Sequence, residues 1–127
     1  MNIKGHKNLT IQHEKSFDDL PTWFQKAKTE WARVQMIDGK LVWFGGAWLN
    51  GTWHNGTWHT GTWFNGTWLN GTWFNGEWEN GLWINGTWFN GEWENGLWIT
   101  GKISLATTEW ATCLGFDQNG ERILEQC

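Results

Sequence analysis

Tryptophan recurs every five residues without a slip, at 43, 48, 53, 58, 63, 68, 73, 78, 83, 88, 93 and 98, with glycine two positions before nearly every one and asparagine usually two after. A period of five fits no regular element, because an amphipathic helix needs apolar spacing near 3.6 and a flat strand needs 2. In one continuous strand, successive tryptophans would also alternate between faces. The chain must therefore bend once per unit. The Asn-Gly junction supplies the bend, since glycine accepts positive φ freely and asparagine tolerates it better than most residues. Each unit reads as a short strand, x-Trp-x, followed by a corner, and a stack of such units is an all-β solenoid. Residues 70–84 are repeated letter for letter as 85–99, a duplication of three units.

Gly-Thr-Trp-Phe-Asn (71–75) resembles the unit of the pentapeptide-repeat family, with Trp as the large inward residue and Gly as the small one. The resemblance covers roughly half the chain and implies a right-handed quadrilateral β-helix of about 20 residues per coil. Tryptophan stands where that family carries Leu or Phe. Charge placement points to four sides as well. Stacked strands lie ~4.8 Å apart, so a fifteen-residue coil would set Glu92 on Glu77 and Glu94 on Glu79, which is unfavourable. A twenty-residue coil instead places Thr72 and Phe74 beside Glu92 and Glu94, and His59 beside Glu79. The sequence thus divides into an N-terminal capping segment (1–40), a Trp-repeat solenoid (41–105) and a C-terminal capping segment (106–127). In the first, residues 17–28 read as a short helix with Pro21 in its first turn. Residues 30–36 and 41–44 form a hairpin around Ile-Asp-Gly-Lys at 37–40. In the last, 103–114 read as strand or irregular structure and 116–124 as a second hairpin turning at Asn119-Gly120.

Three arguments place the indoles inside. A dozen exposed tryptophans would make an apolar patch far beyond the few hundred Å² a soluble monomer carries. Buried, each removes roughly 150–250 Å² from water. Turning Trp outward would also turn Glu77 and Glu79 inward, unpaired. The residues flanking Trp then form the outer surface. A four-sided coil sorts them into an apolar half, with Leu49, Leu69 and Phe89 on one side and Phe64 and Ile84 on its neighbour, and a polar half with His54, His59, Glu77, Glu79, Glu92 and Glu94. The apolar set is the candidate interaction surface for a protein partner or a second copy.

Nine basic and thirteen acidic residues give a net charge of −4, and no Lys or Arg lies between Leu41 and Gly101. A groove that tracks a nucleic-acid backbone needs those cations, so nucleic acid is not the expected partner. No apolar run reaches the roughly 18–20 residues of a membrane-spanning helix, and the polar N-terminal residues do not read as a signal peptide. Asn50, Asn55, Asn65, Asn70 and Asn85 each open an Asn-Gly-Thr acceptor. Sugars on packed corners would disrupt them, which argues for the cytoplasm rather than a eukaryotic secretory route. Cys113 and Cys127 accordingly read as two reduced thiols rather than a disulfide.

No catalytic, cofactor or metal constellation stands out. Ser16, Ser104, His6 and His13 lack triad context, His59 with Glu79 or Glu77 would need further ligands to hold a metal, and no Lys-Ser/Thr follows a glycine loop. The expected function is a non-enzymatic, rigid protein-interaction or inhibitor module. Some pentapeptide-repeat proteins mimic DNA and inhibit enzymes such as gyrase, but a charge of −4 with one acidic region supports mimicry weakly. Repeats of this look are similar to those of phage and bacterial proteins, which implies a small accessory protein. Two alternatives follow from other readings of the same residues. Outward indoles would make a carbohydrate-binding platform. The stretch 74–81 and its copy 89–96 look like the opening of a MORN repeat, which would bring in a scaffold or membrane-lipid role.

Overall fold

The computed structural model describes residues 1–103 and 116–117. Strands β1 (His6–Lys7) and β2 (Thr10–Ile11) precede a 3-10 turn at Phe17–Asp19 and a one-turn helix α1 (Thr22–Gln25). Pro21 sits just ahead of α1, where its missing N–H costs nothing. A long hairpin follows, β3 (Lys28–Ile37) antiparallel to β4 (Lys40–Asn50). Its turn residues Asp38 and Gly39 both take positive φ, at 51° and 77°, as a two-residue turn of this twist requires. From there the chain becomes two-residue strands, β5 (Thr52–Trp53) through β15 (Lys102–Ile103), one per unit, and β16 (Phe116–Asp117) pairs parallel with Leu97–Trp98.

The pairing is parallel, and its register is fifteen residues. Trp43 pairs with Trp58, Trp58 with Trp73, and Trp88 with Ile103. The other two sides run Trp48–Trp63–Trp78–Trp93 and Trp53–Trp68–Trp83–Trp98. The chain is a β-solenoid with five-residue strand spacing, but the coil has three sides and not the four that the sequence suggested. Packing explains the correction. Within a coil, successive indoles meet edge to face at 5.7–6.0 Å. Three of them already fill the triangular section. Between coils each indole stacks on the next at 4.6–4.9 Å with the rings nearly parallel. All twelve are at most 5 % exposed. At ~25 cal/mol per Å², an area of ~200 Å² corresponds to about 5 kcal/mol per indole before entropy. Two exposed like charges cost only about 1 kcal/mol at 4 Å in water. The core therefore outweighs the carboxylate stacking that had argued for four sides.

Each unit donates two hydrogen bonds to the coil before it, as in Thr72 N–H to Gly56 O at 3.0 Å and Phe74 N–H to Trp58 O at 2.8 Å. The corner needs glycine for two reasons at once. Gly71 has φ 126°, and a Cβ there would lie 2.4 Å from the Gly56 carbonyl oxygen and 3.2 Å from the Trp53 indole nitrogen. On the first side the indole N–H donates to the corner two residues past the stacked partner, Trp43 to Thr60 O and Trp73 to Asn90 O, both at 3.0 Å.

The cap closes the first coil. Phe24 packs on Trp43 and Trp48, and Trp23 on Trp48 and Trp53. Behind them His6 is buried, stacked on Phe24 at 4.7 Å and hydrogen-bonded to Thr29 Oγ1 at 2.7 Å and Gln25 O at 3.2 Å. The C-terminal elements expected at 106–127, together with Cys113 and Cys127, lie outside the described residues apart from β16.

Candidate functional site

Because Trp points inward, the residues before and after it point out, and the fifteen-residue register lines them up into columns on three faces. The first face carries Thr57, Thr72 and Thr87 in one column and Phe44, His59, Phe74 and Phe89 in the other. These rings stack on one another, Phe44 on His59 and His59 on Phe74 at 5.3 Å, and Phe74 on Phe89 at 5.0 Å, with interplanar angles of at most 17°. Ring faces are therefore occupied within the column, and edges look outward. We call this the aromatic face.

The second, acidic face carries Ala47, Thr62, Glu77 and Glu92 in one column and Leu49, Phe64, Glu79 and Glu94 in the other. Glu77 and Glu92 are direct neighbours on paired strands. The Glu79 carboxyl is held above its ordinary range, first by desolvation and then by Glu94, Glu77 and Glu92 around it. The third, aliphatic face carries Thr52, Thr67, Leu82 and Leu97 beside His54, Leu69, Ile84 and Ile99, with Trp23 of the cap stacked on His54 at 5.8 Å.

The residues picked out from the sequence are accordingly redistributed. Leu49, Leu69 and Phe89, expected on one side, fall on three different faces. Phe64 joins Leu49, and Ile84 joins Leu69. Glu77, Glu79, Glu92 and Glu94 do come together, but His54 and His59 lie on the two other faces. Among the described residues no group of three or more His, Cys, Asp or Glu is arranged to hold a metal ion. No helix among them is long and apolar enough to cross a membrane.

Two features escaped sequence reading. Trp31 is 66 % exposed with φ 58°, thrown out by a bulge between Glu30 and Arg33 where its carbonyl closes on Gly46. Positive φ in a bulky residue is a strained conformation. The one available signal was that Trp31 lies outside the five-residue phase. The second is that β1 and the start of β3 extend the acidic face toward the cap, adding Lys7, Glu30 and Lys28 to its columns. Two-residue strands in a polar segment leave no periodicity to read.

Comparison with protein-family models, with curated proteins and with solved structures finds no match to this chain.

Proposed function

We propose that the chain is a non-enzymatic, rigid module that docks a protein partner on its aromatic face. The observation that carries this reading is the outward column Phe44–His59–Phe74–Phe89, flat, repeated at the strand spacing and flanked by threonines. Phe74 is 40 % exposed, and no charged side chain lies in either column from Val42 to Phe89. Interfaces concentrate aromatic residues and deplete charge at their centres, and a scaffold held by a continuous hydrogen-bond ladder brings such a surface to a partner already ordered. The lack of Lys and Arg between Leu41 and Gly101 disfavours a nucleic acid along the coil. A glycan platform would need a row of flat ring faces, whereas the twelve coil indoles are interior and the column turns its edges out. The five-residue unit supports kinship in design with pentapeptide repeats, with Trp in the large inward position and a coil closed after three units. The Asn-Gly-Thr corners support a compartment without N-glycosylation, the cytoplasm.

The test is co-purification of the tagged protein from its native cell, comparing wild type with Phe74→Lys/Phe89→Lys and with Leu69→Lys on the aliphatic face. A partner kept by wild type and Leu69→Lys but lost by the aromatic double variant supports the reading. A partner that survives the aromatic double variant overturns it.

A further inference from the structure

The acidic face has a second half that belongs to the cap, and the two halves are opposite in charge. Pairing extends the rungs in the order β1, β3, β4, then the strands of Trp63, Trp78 and Trp93. His6, Thr29 and Trp48 point into the core of these rungs, so their neighbours point out. One outer column therefore reads Lys7, Glu30, Ala47, Thr62, Glu77, Glu92. The other reads Gly5, Lys28, Leu49, Phe64, Glu79, Glu94, with the Lys28 stem lying over Gly5 and a bulge at Leu49 that pairs Lys28 with Asn50. Lys4, Lys7 and Lys28 are exposed and rim a shallow depression of about 480 Å³ that reaches Leu49. Along one flat face the chain thus runs from lysines, through Leu49 and a 46 % exposed Phe64, to four carboxylates.

We propose that this face mates with the same face of a second copy, in an antiparallel two-fold dimer. The face has an even number of rungs, so its midpoint falls between Leu49 and Phe64. A two-fold axis there, parallel to the strands, reverses the order of rungs and leaves each column opposite itself. Lys7 of one copy then faces Glu92 of the other, Lys28 faces Glu79, and Leu49 faces Phe64, each twice by symmetry. Glu94 falls opposite Gly5, over which the Lys28 stem lies. Glu30 meets Glu77 across the interface, a same-sign pair flanked by Lys7 and Lys28. The centre is apolar and the rims are charged and complementary, the arrangement of an isologous interface. A parallel arrangement would set Glu77, Glu79, Glu92 and Glu94 against themselves, so charge selects the antiparallel one. The inference concerns a different face from the one assigned to a protein partner above and does not depend on that assignment.

Charge exchange tests it. The wild type is expected to sediment with the mass of two chains and to dissociate as salt is raised, since the rim pairs are exposed to screening. Glu79→Lys/Glu92→Lys puts lysine on both sides of the Lys7–Glu92 and Lys28–Glu79 pairs, and Lys7→Glu/Lys28→Glu puts glutamate on both sides of them. Each variant alone is expected to lose the dimer, with unchanged far-ultraviolet circular dichroism. Mixed in equal amounts, the two are expected to regain a species of two chains, because both rims then pair opposite signs. A monomeric wild type, a dimer retained by either variant alone, or a mixture that stays monomeric would each overturn the proposal. Should one charge-exchange variant fail to fold, Phe64→Asp decides: the dimer is lost if the midpoint is correct, and its persistence refutes it.

Discussion

The interior of the cap is built from unlike residues, Leu9, Phe17, Leu20, Phe24 and Val34, around a hydrogen-bonded pair, His6 and Thr29. The interior of the coil uses one residue, Trp, from Trp43 to Trp98. In the cap each contact occurs once, and a polar group can be buried because a specific partner meets it. In the coil every contact recurs, so stability approximates a sum over identical nearest-neighbour layers. A coil position therefore answers to the two copies above and below it, whereas a cap position answers only to its own surroundings.

Substitution at equivalent positions should break this contrast most visibly. Trp73→Ala removes a ring stacked on both Trp58 and Trp88 and met edge-on by Trp68 and Trp78. It is expected to cost about 3–5 kcal/mol in urea unfolding. Phe24→Ala touches only the first layer, and its effect should fall at the lower end of that range, about 3 kcal/mol. A loss equal to that of Trp73→Ala would mean that the cap and the coil are one cooperative unit. Glycines give the next step. Gly39→Ala meets only open space, so its cost is the positive φ alone, about 1 kcal/mol. Gly71→Ala adds overlap with backbone on the neighbouring coil and should exceed it by at least ~2 kcal/mol. Equal midpoints for the two would remove the close-approach argument.

Acid should move the two regions in opposite directions, a smaller effect. Burial lowers the His6 pKa below its ordinary 6.5, outweighing its backbone hydrogen bonds to Gln25 and Phe24. A depressed histidine contributes stability above 6.5 that is lost as pH falls through the folded value. Glu79 is raised above 4.5, by desolvation first and by Glu94, Glu77 and Glu92 next. Its contribution is present below 4.5 and lost as pH rises through the raised value. Thermal unfolding of dilute protein should thus weaken below pH 6.5 in wild type and not in His6→Asn. Glu79→Gln should produce the smallest change, a slight gain at neutral pH that vanishes near pH 4. A loss at neutral pH would show that Glu79 is favourably paired within the monomer.

Most of the coil was legible because its determinants are local. The five-residue phase, the Asn-Gly corner and the inward indole follow from backbone and burial arguments that need no knowledge of distant contacts, as does the Asp38-Gly39 hairpin turn. The number of sides was not local. It was judged from surface carboxylates such as Glu77 and Glu92, while indole volume in the section was the larger quantity. The duplicated stretch 70–84 and 85–99 carried the answer, since its fifteen letters are one whole coil. The candidate surfaces inherited that error: Leu49, Leu69 and Phe89 are separated by twenty residues, not fifteen, so they part company. The lysine half of the acidic face was hidden because it depends on β1 and β3, which join the solenoid through tertiary pairing with no repeat to announce it.

That duplicated stretch has a genealogical meaning. A copying event of fifteen codons' worth of chain inserts a complete layer, arriving with its own filling, its own bends and both of its bonding edges. Nothing elsewhere has to be reinvented for the rod to lengthen by one step of ~4.8 Å. The inherited step also carried Glu92 and Glu94 in beside Glu77 and Glu79. Growth in length and growth in negative charge therefore came as a single heritable event, and lineages that gain or lose a layer would change both together.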